Sequence, residues 1–172
     1  MTQIQLPSLQ LSNWHESRDT IHQYARLIGK IRTALMPPQK HWWHITLHAA
    51  ATGLTTTPMP INGKTLELLL DFVNHTLIIT TSHGEKAEIP LQQQSIAGLH
   101  HAVIEVLSTM DIKPEFDHSL FVDAAPRKYD TEAIAGYWRT VAWIDGVFKH
   151  FKGELREETG PVQVFPHHFD LS

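Results

Sequence analysis

Two stretches of the chain concentrate side chains able to do chemistry: His41-Trp42-Trp43-His44, and Pro166-His167-His168-Phe169-Asp170 near the end. Imidazole titrates near neutral pH and is a common ligand of divalent metals. His168 and Asp170 differ by two, so on a strand they share a face with Cα atoms about 7 Å apart. Such a pair supplies two metal ligands, or a carboxylate that orients the imidazole. The third group has to come from elsewhere in the chain. His44 is the candidate, with His41 and His167 as fallbacks. His48 shares a strand face with His44 but lies about 13 Å away, too far to grip the same ion. The expected metal set is therefore His44, His168 and Asp170. The same three serve acid–base chemistry without a metal, because a histidine held by Asp170 can pass protons to a substrate. Trp42, His41 and His167 would line the ligand pocket, and Lys30 and Arg32 would add positive charge for an anion. Against this, both cations sit late in a helix, whose carbonyl end disfavours anions.

Composition narrows the rest. There are 13 histidines in 172 residues and no cysteine, which removes disulfides, thiolate nucleophiles and thiolate metal sites. With a net charge of −4 and scattered Lys and Arg, no basic face is in view, so nucleic acid is not an expected partner. No run of about 18 apolar residues exists to span a membrane. The start, Met1-Thr2-Gln3-Ile4, lacks a basic segment followed by an apolar one, so no signal peptide is expected and the location is read as cytoplasmic. No Gly-rich phosphate loop, nucleophile elbow or His-Glu-x-x-His zinc motif occurs.

The elements that must position these residues follow from periodicity. Trp14, Ile21, Tyr24, Ile28, Ile31 and Leu35 recur at helical spacing, predicting a helix over 13–36 with Asn13 and Glu16 as a capping box and Pro37-Pro38 as its stop. The run 41–48 is rich in aromatic and β-branched residues and reads as a strand; 55–60 reads as an extended connection. Strands are expected over 66–73, 76–81 and 86–91, the first two joined at Asn74-His75. Ser95 caps a second helix carrying Ile96, Leu99, Val103, Leu107 and Met110. Residues 111–129 read as irregular. A third helix over 130–152 presents Ile134, Trp138, Val141, Phe148 and Phe151 along a buried face, and a last strand falls within 162–171. The expected fold is α+β, with an antiparallel sheet of about four to five strands packed with three main helices. One domain over 1–172 accommodates all of it.

The run from Trp14 through Ile28-Gly29-Lys30, His41-Trp42-Trp43-His44 and Gly53-Leu54-Thr55-Thr56, with Gly160-Pro161-Val162-Gln163 and Pro166-His167-His168-Phe169-Asp170-Leu171 at the end, resembles a bacterial family of uncharacterised proteins, a domain of unknown function. The resemblance covers nearly the whole chain and implies no established activity. Lys40 and His48 depart from its pattern, which favours Asn and an aromatic there. Family members continue past the Phe-Asp-Leu motif, so truncation at the C-terminus is expected.

Two functional readings stay open. One is a pocket lined by His and Trp that takes a small ligand or a divalent metal, with hydrolysis as one use. The other is a non-enzymatic interaction module, in which these residues are structural and the terminal strand pairs with a partner or a second copy. In that second reading Trp42, Trp43 and Phe165 are core aromatics, and His22 and His44 merely bond to backbone.

Overall fold

The computed structural model describes residues 10–172, so the Met1-Thr2-Gln3-Ile4 start lies outside the described residues. Helix α1 (Leu11–Leu35) buries Trp14, Ile21, Tyr24, Ile28 and Ile31 of the stripe its spacing predicts, leaves Leu35 half-buried, and buries Leu27 as well. It begins two residues before the expected capping box. Asn13 therefore sits inside the first turn, where its side chain accepts from Ser12 Oγ (3.2 Å) and caps nothing. Met36 turns extended just before Pro37-Pro38, ending the helix as expected.

Eight short strands follow in chain order: β1 (His48–Ala49), β2 (Gly53–Thr55), β3 (Met59–Ile61), β4 (Lys64–Asp71), β5 (Thr76–Thr81), β6 (Lys86–Pro90), β7 (Val164–Phe165) and β8 (Asp170–Leu171). The first six form one antiparallel sheet in the order β1-β2-β4-β5-β6, with β3 also pairing to β4. β3 occupies part of the stretch expected to be a bare connection. Leu66, Leu68 and Leu70 on β4 and Leu77 and Ile79 on β5 alternate into the core, as a sheet covered on one face requires. Gly53 is demanded by contact: a Cβ there would stand 1.7 Å from the Leu70 carbonyl oxygen. At the β4–β5 turn it is His75 that takes positive φ (57°), while the Asn74 backbone and side-chain N–H groups both donate to Asp71.

Helices α2 (Ile96–Thr109) and α3 (Thr131–Glu154) complete the α+β layer. Ser95 Oγ accepts from the Gly98 N–H at 3.0 Å, the predicted cap. Residues 111–130 are irregular apart from a 3-10 turn over His118–Phe121. On α3, Ile134, Trp138 and Val141 are buried as expected, but Phe148 and Phe151 are exposed. The last buried residue of α3 is Asp145, so its final turns overrun the body of the domain. Periodicity identifies an apolar face without saying what lies opposite it.

Two further expectations change. Residues 41–48 do not form a strand: Lys40–Ile45 is a tight turn kinked at His41 and Trp42, and β pairing as a strand begins only at His48–Ala49. The chain has to bend between the end of α1 and Leu47, which is pinned by two 2.8 Å bonds with Val164, and that demand overrides the β preference of its aromatics. The C-terminal segment is a hairpin of β7 and β8, with Pro166–Phe169 as its bend, and not one long strand.

Candidate functional site

The Leu47–Val164 bridge brings the two histidine-rich segments to the same side of α1. The hairpin then locks onto the helix. His22 Nε2 donates to the Pro166 carbonyl at 3.0 Å, and its ring stacks on Phe169, centroids 5.1 Å apart. Phe169 stacks in turn on Tyr137 of α3 at 5.7 Å. Gly29 makes this approach possible, because a Cβ there would lie 2.5 Å from Pro166 Cγ. Burial, partly offset by the carbonyl bond, holds the His22 imidazole below its ordinary pKa.

A groove of about 400 Å³ lies between these elements, lined by Arg26, Gly29, Lys30, Thr33, Trp42, Ile45, Pro166 and His167. Its wall is one face of α1, since positions 26, 29, 30 and 33 recur at spacings of three and four. Pro166 and Ile45 give it an apolar floor. Trp42 stands at the edge, 68% exposed. His41 and Trp42 both adopt left-handed backbone, φ 55° and 61°, a region costly for residues with a Cβ. Behind Trp42, the buried His44 stacks on its ring at 5.7 Å and accepts the Gln39 N–H through Nδ1.

The charged residues lining the groove are cationic, Arg26 and Lys30, with the His167 imidazole beside them. Arg26 gives one bond to Gln23 Oε1 (3.0 Å), and the Thr33 hydroxyl donates to the Gly29 carbonyl (2.8 Å). Asp117, held low first by its bonds from Ser119, also feels Lys30. His167 is held below the usual histidine range by burial, then by His168 and Lys30, with Asp170 acting the other way.

Three of the expected site residues, Lys30, Trp42 and His167, therefore meet around one groove. The others do not line it. His41 packs on Trp43 (5.3 Å), and His168 lies against His167 (4.2 Å) at the exposed bend. Asp170 is exposed on β8. The triple of His44, His168 and Asp170 is not assembled: among the described residues no group of three or more His, Asp or Glu is placed to hold a metal ion. The physical reason is local, since His44 is buried beneath Trp42 in a turn while His168 sits in the hairpin bend. Arg32 does not line the groove either. It is 3% exposed, and its Nη1 donates to the Thr56 carbonyl and to Thr57 Oγ1.

Arg26, Gly29, Thr33, Ile45 and Pro166 also line the groove and are not among the site residues expected from the sequence. The spacing of Arg26, Lys30 and Thr33 carries a signal for one helix face, and a glycine inside a helix that otherwise penalises it marks a close approach. Pro166 gives no such signal, because its contact with Gly29 spans most of the chain.

The family model described as "Family of unknown function (DUF5996)" matches residues 6–172. No curated protein and no solved structure matches the chain. No helix among the described residues is long and apolar enough to cross a membrane.

Proposed function

We propose, for a chain that belongs to the family of unknown function DUF5996, that the groove between α1, the His-Trp turn and the terminal hairpin binds a small organic anion. The observation that carries this reading is Trp42. Two consecutive left-handed residues cost on the order of 1–3 kcal/mol each. Here they hold a large apolar ring out in water beside Lys30 and Arg26, where burial returns little of that cost. Strain kept at the edge of a concave, cation-bearing surface is a signature of a ligand site. His167 supplies an imidazole at the same groove for proton transfer, should the ligand be a substrate.

Thermal denaturation with a panel of organic anions tests it. At least one anion should raise the melting temperature of the wild-type protein and fail to do so in Lys30→Glu. Protection that is equal in both proteins removes the reading.

One observation favours a second reading, an interaction module. Val147, Phe148, Phe151 and Leu155 stand exposed at the overrunning end of α3. The terminal strand β8 is a weaker docking edge, being two residues long. Light scattering of the full chain and of Phe151→Ser tests self-association through α3, which a change of mass between the two would support.

A further inference from the structure

We infer that the ligand of this groove is a planar, apolar-bodied monocarboxylate and not a phosphate compound, an inference that rests on the anion-site reading above. The donors set the headgroup. Arg26 and Lys30 lie on successive turns of α1, about 5–6 Å apart at their Cβ atoms, and both line the groove. One guanidinium and one ammonium match the two oxygens of a carboxylate.

A phosphate dianion asks for more. Such sites use clusters of free backbone N–H groups at loops or helix N-termini. The backbone at positions 26–33 lies inside α1, where N–H groups are spent on the helix, and nearer the carbonyl end than the start. The Thr33 hydroxyl hydrogen is already given to the Gly29 carbonyl. The protein as a whole carries −4, which disfavours a dianion further.

The body of the ligand is set by the remaining lining. Trp42, Ile45, Pro166 and the bare backbone of Gly29 offer no charge, and Trp42 has one ring face taken up by His44. A flat ring stacked on the open face of Trp42 covers the most apolar area. A groove of about 400 Å³ is at the lower end of the range typical of small-molecule sites, and so suits a compact ligand.

Three probes separate the possibilities: naphthoate, its neutral counterpart naphthalenemethanol, and inorganic phosphate. The readout is the indole N–H signals of the five tryptophans in nuclear magnetic resonance, with Trp42 assigned by Trp42→Phe. Naphthoate should move the Trp42 signal saturably. The neutral alcohol and Lys30→Gln should each weaken binding by about tenfold, the equivalent of one charge-assisted bond. Phosphate should neither shift Trp42 nor displace naphthoate. Displacement by phosphate, or equal binding of acid and alcohol, overturns the monocarboxylate while leaving a ligand groove in place. A naphthoate effect confined to Trp143 on α3, or none at any indole, overturns both this inference and the groove reading.

Discussion

Two aromatic side chains stand furthest out of the surface among the described residues: Trp42 at 68% exposure and Phe151 at 61%. Their settings have little else in common. Phe151 sits on regular helix, in a convex strip with Val147, Phe148 and Leu155, and its backbone carries no strain. Trp42 sits on left-handed backbone at the rim of a concavity, with two cations and an imidazole within the same lining. Convex apolar strips suit macromolecular partners, whereas concave ones with a few polar groups suit small molecules. Exposure alone therefore does not mark a site. The backbone that holds the exposed ring, and the curvature and charge around it, distinguish the two regions.

The largest expected effect lies under the groove. Gly29→Val places a branched side chain where even one Cβ meets Pro166 at 2.5 Å. Overpacking of this kind costs about 1–3 kcal/mol, and it acts where the Pro166–Phe169 bend seats on α1. We expect a melting temperature lower by roughly 2–4 °C for each kcal/mol, together with loss of the groove. If Gly29→Val melts like the wild type, helix and hairpin are not in the contact described and the contrast with α3 collapses.

Acid should loosen the same contact. The folded-state pKa of His22 lies below the unfolded value, with burial as the first cause. The unfolded chain therefore binds more protons. Stability from this group is fully present above about pH 6.5 and is lost as pH falls from there toward the folded pKa. His48 and His167 shift in the same direction, also first through burial. Melting temperatures should be flat from pH 8 to 7 and fall from about pH 6.5 to 5, with a shallower fall in His22→Gln. An identical slope in that variant would remove His22 from the account.

Legibility in the sequence follows the range of the interaction. The stripe of α1, the Ser95 cap and the strands over 64–90 were readable because their determinants lie within a few residues of one another. The His-Trp segment has the composition of a strand and forms a turn, because aromatics that favour sheets also serve a tight turn when a distant pairing, Leu47 with Val164, fixes where the chain must go. The same gap divides the expected site residues into those that share a groove and those that do not. Lys30, Trp42 and His167 could be named by type, but the grouping of His44 with His168 and Asp170 assumed two regular strands that are not there. Arg32 differs from Lys30 by two positions, which on a helix turns it into the core.

Smaller effects, of opposite meaning in the two regions, come from glycine. Trp42→Gly supplies the one residue that accepts φ near 61° without a Cβ penalty, so the variant should be more stable by about 1 kcal/mol while losing ligand protection. A gain in stability coupled to a loss of binding is the mark of strain kept for function. Gly146→Ala on α3 should also stabilise, by about 0.5–1 kcal/mol, because nothing lies within 4 Å of its Cβ position and alanine is the better helix former. Here no loss of naphthoate binding should follow. If Gly146→Ala impairs that binding as Trp42→Gly does, the end of α3 and the groove are one functional surface, and the distinction between convex and concave exposure drawn from these two aromatics is wrong.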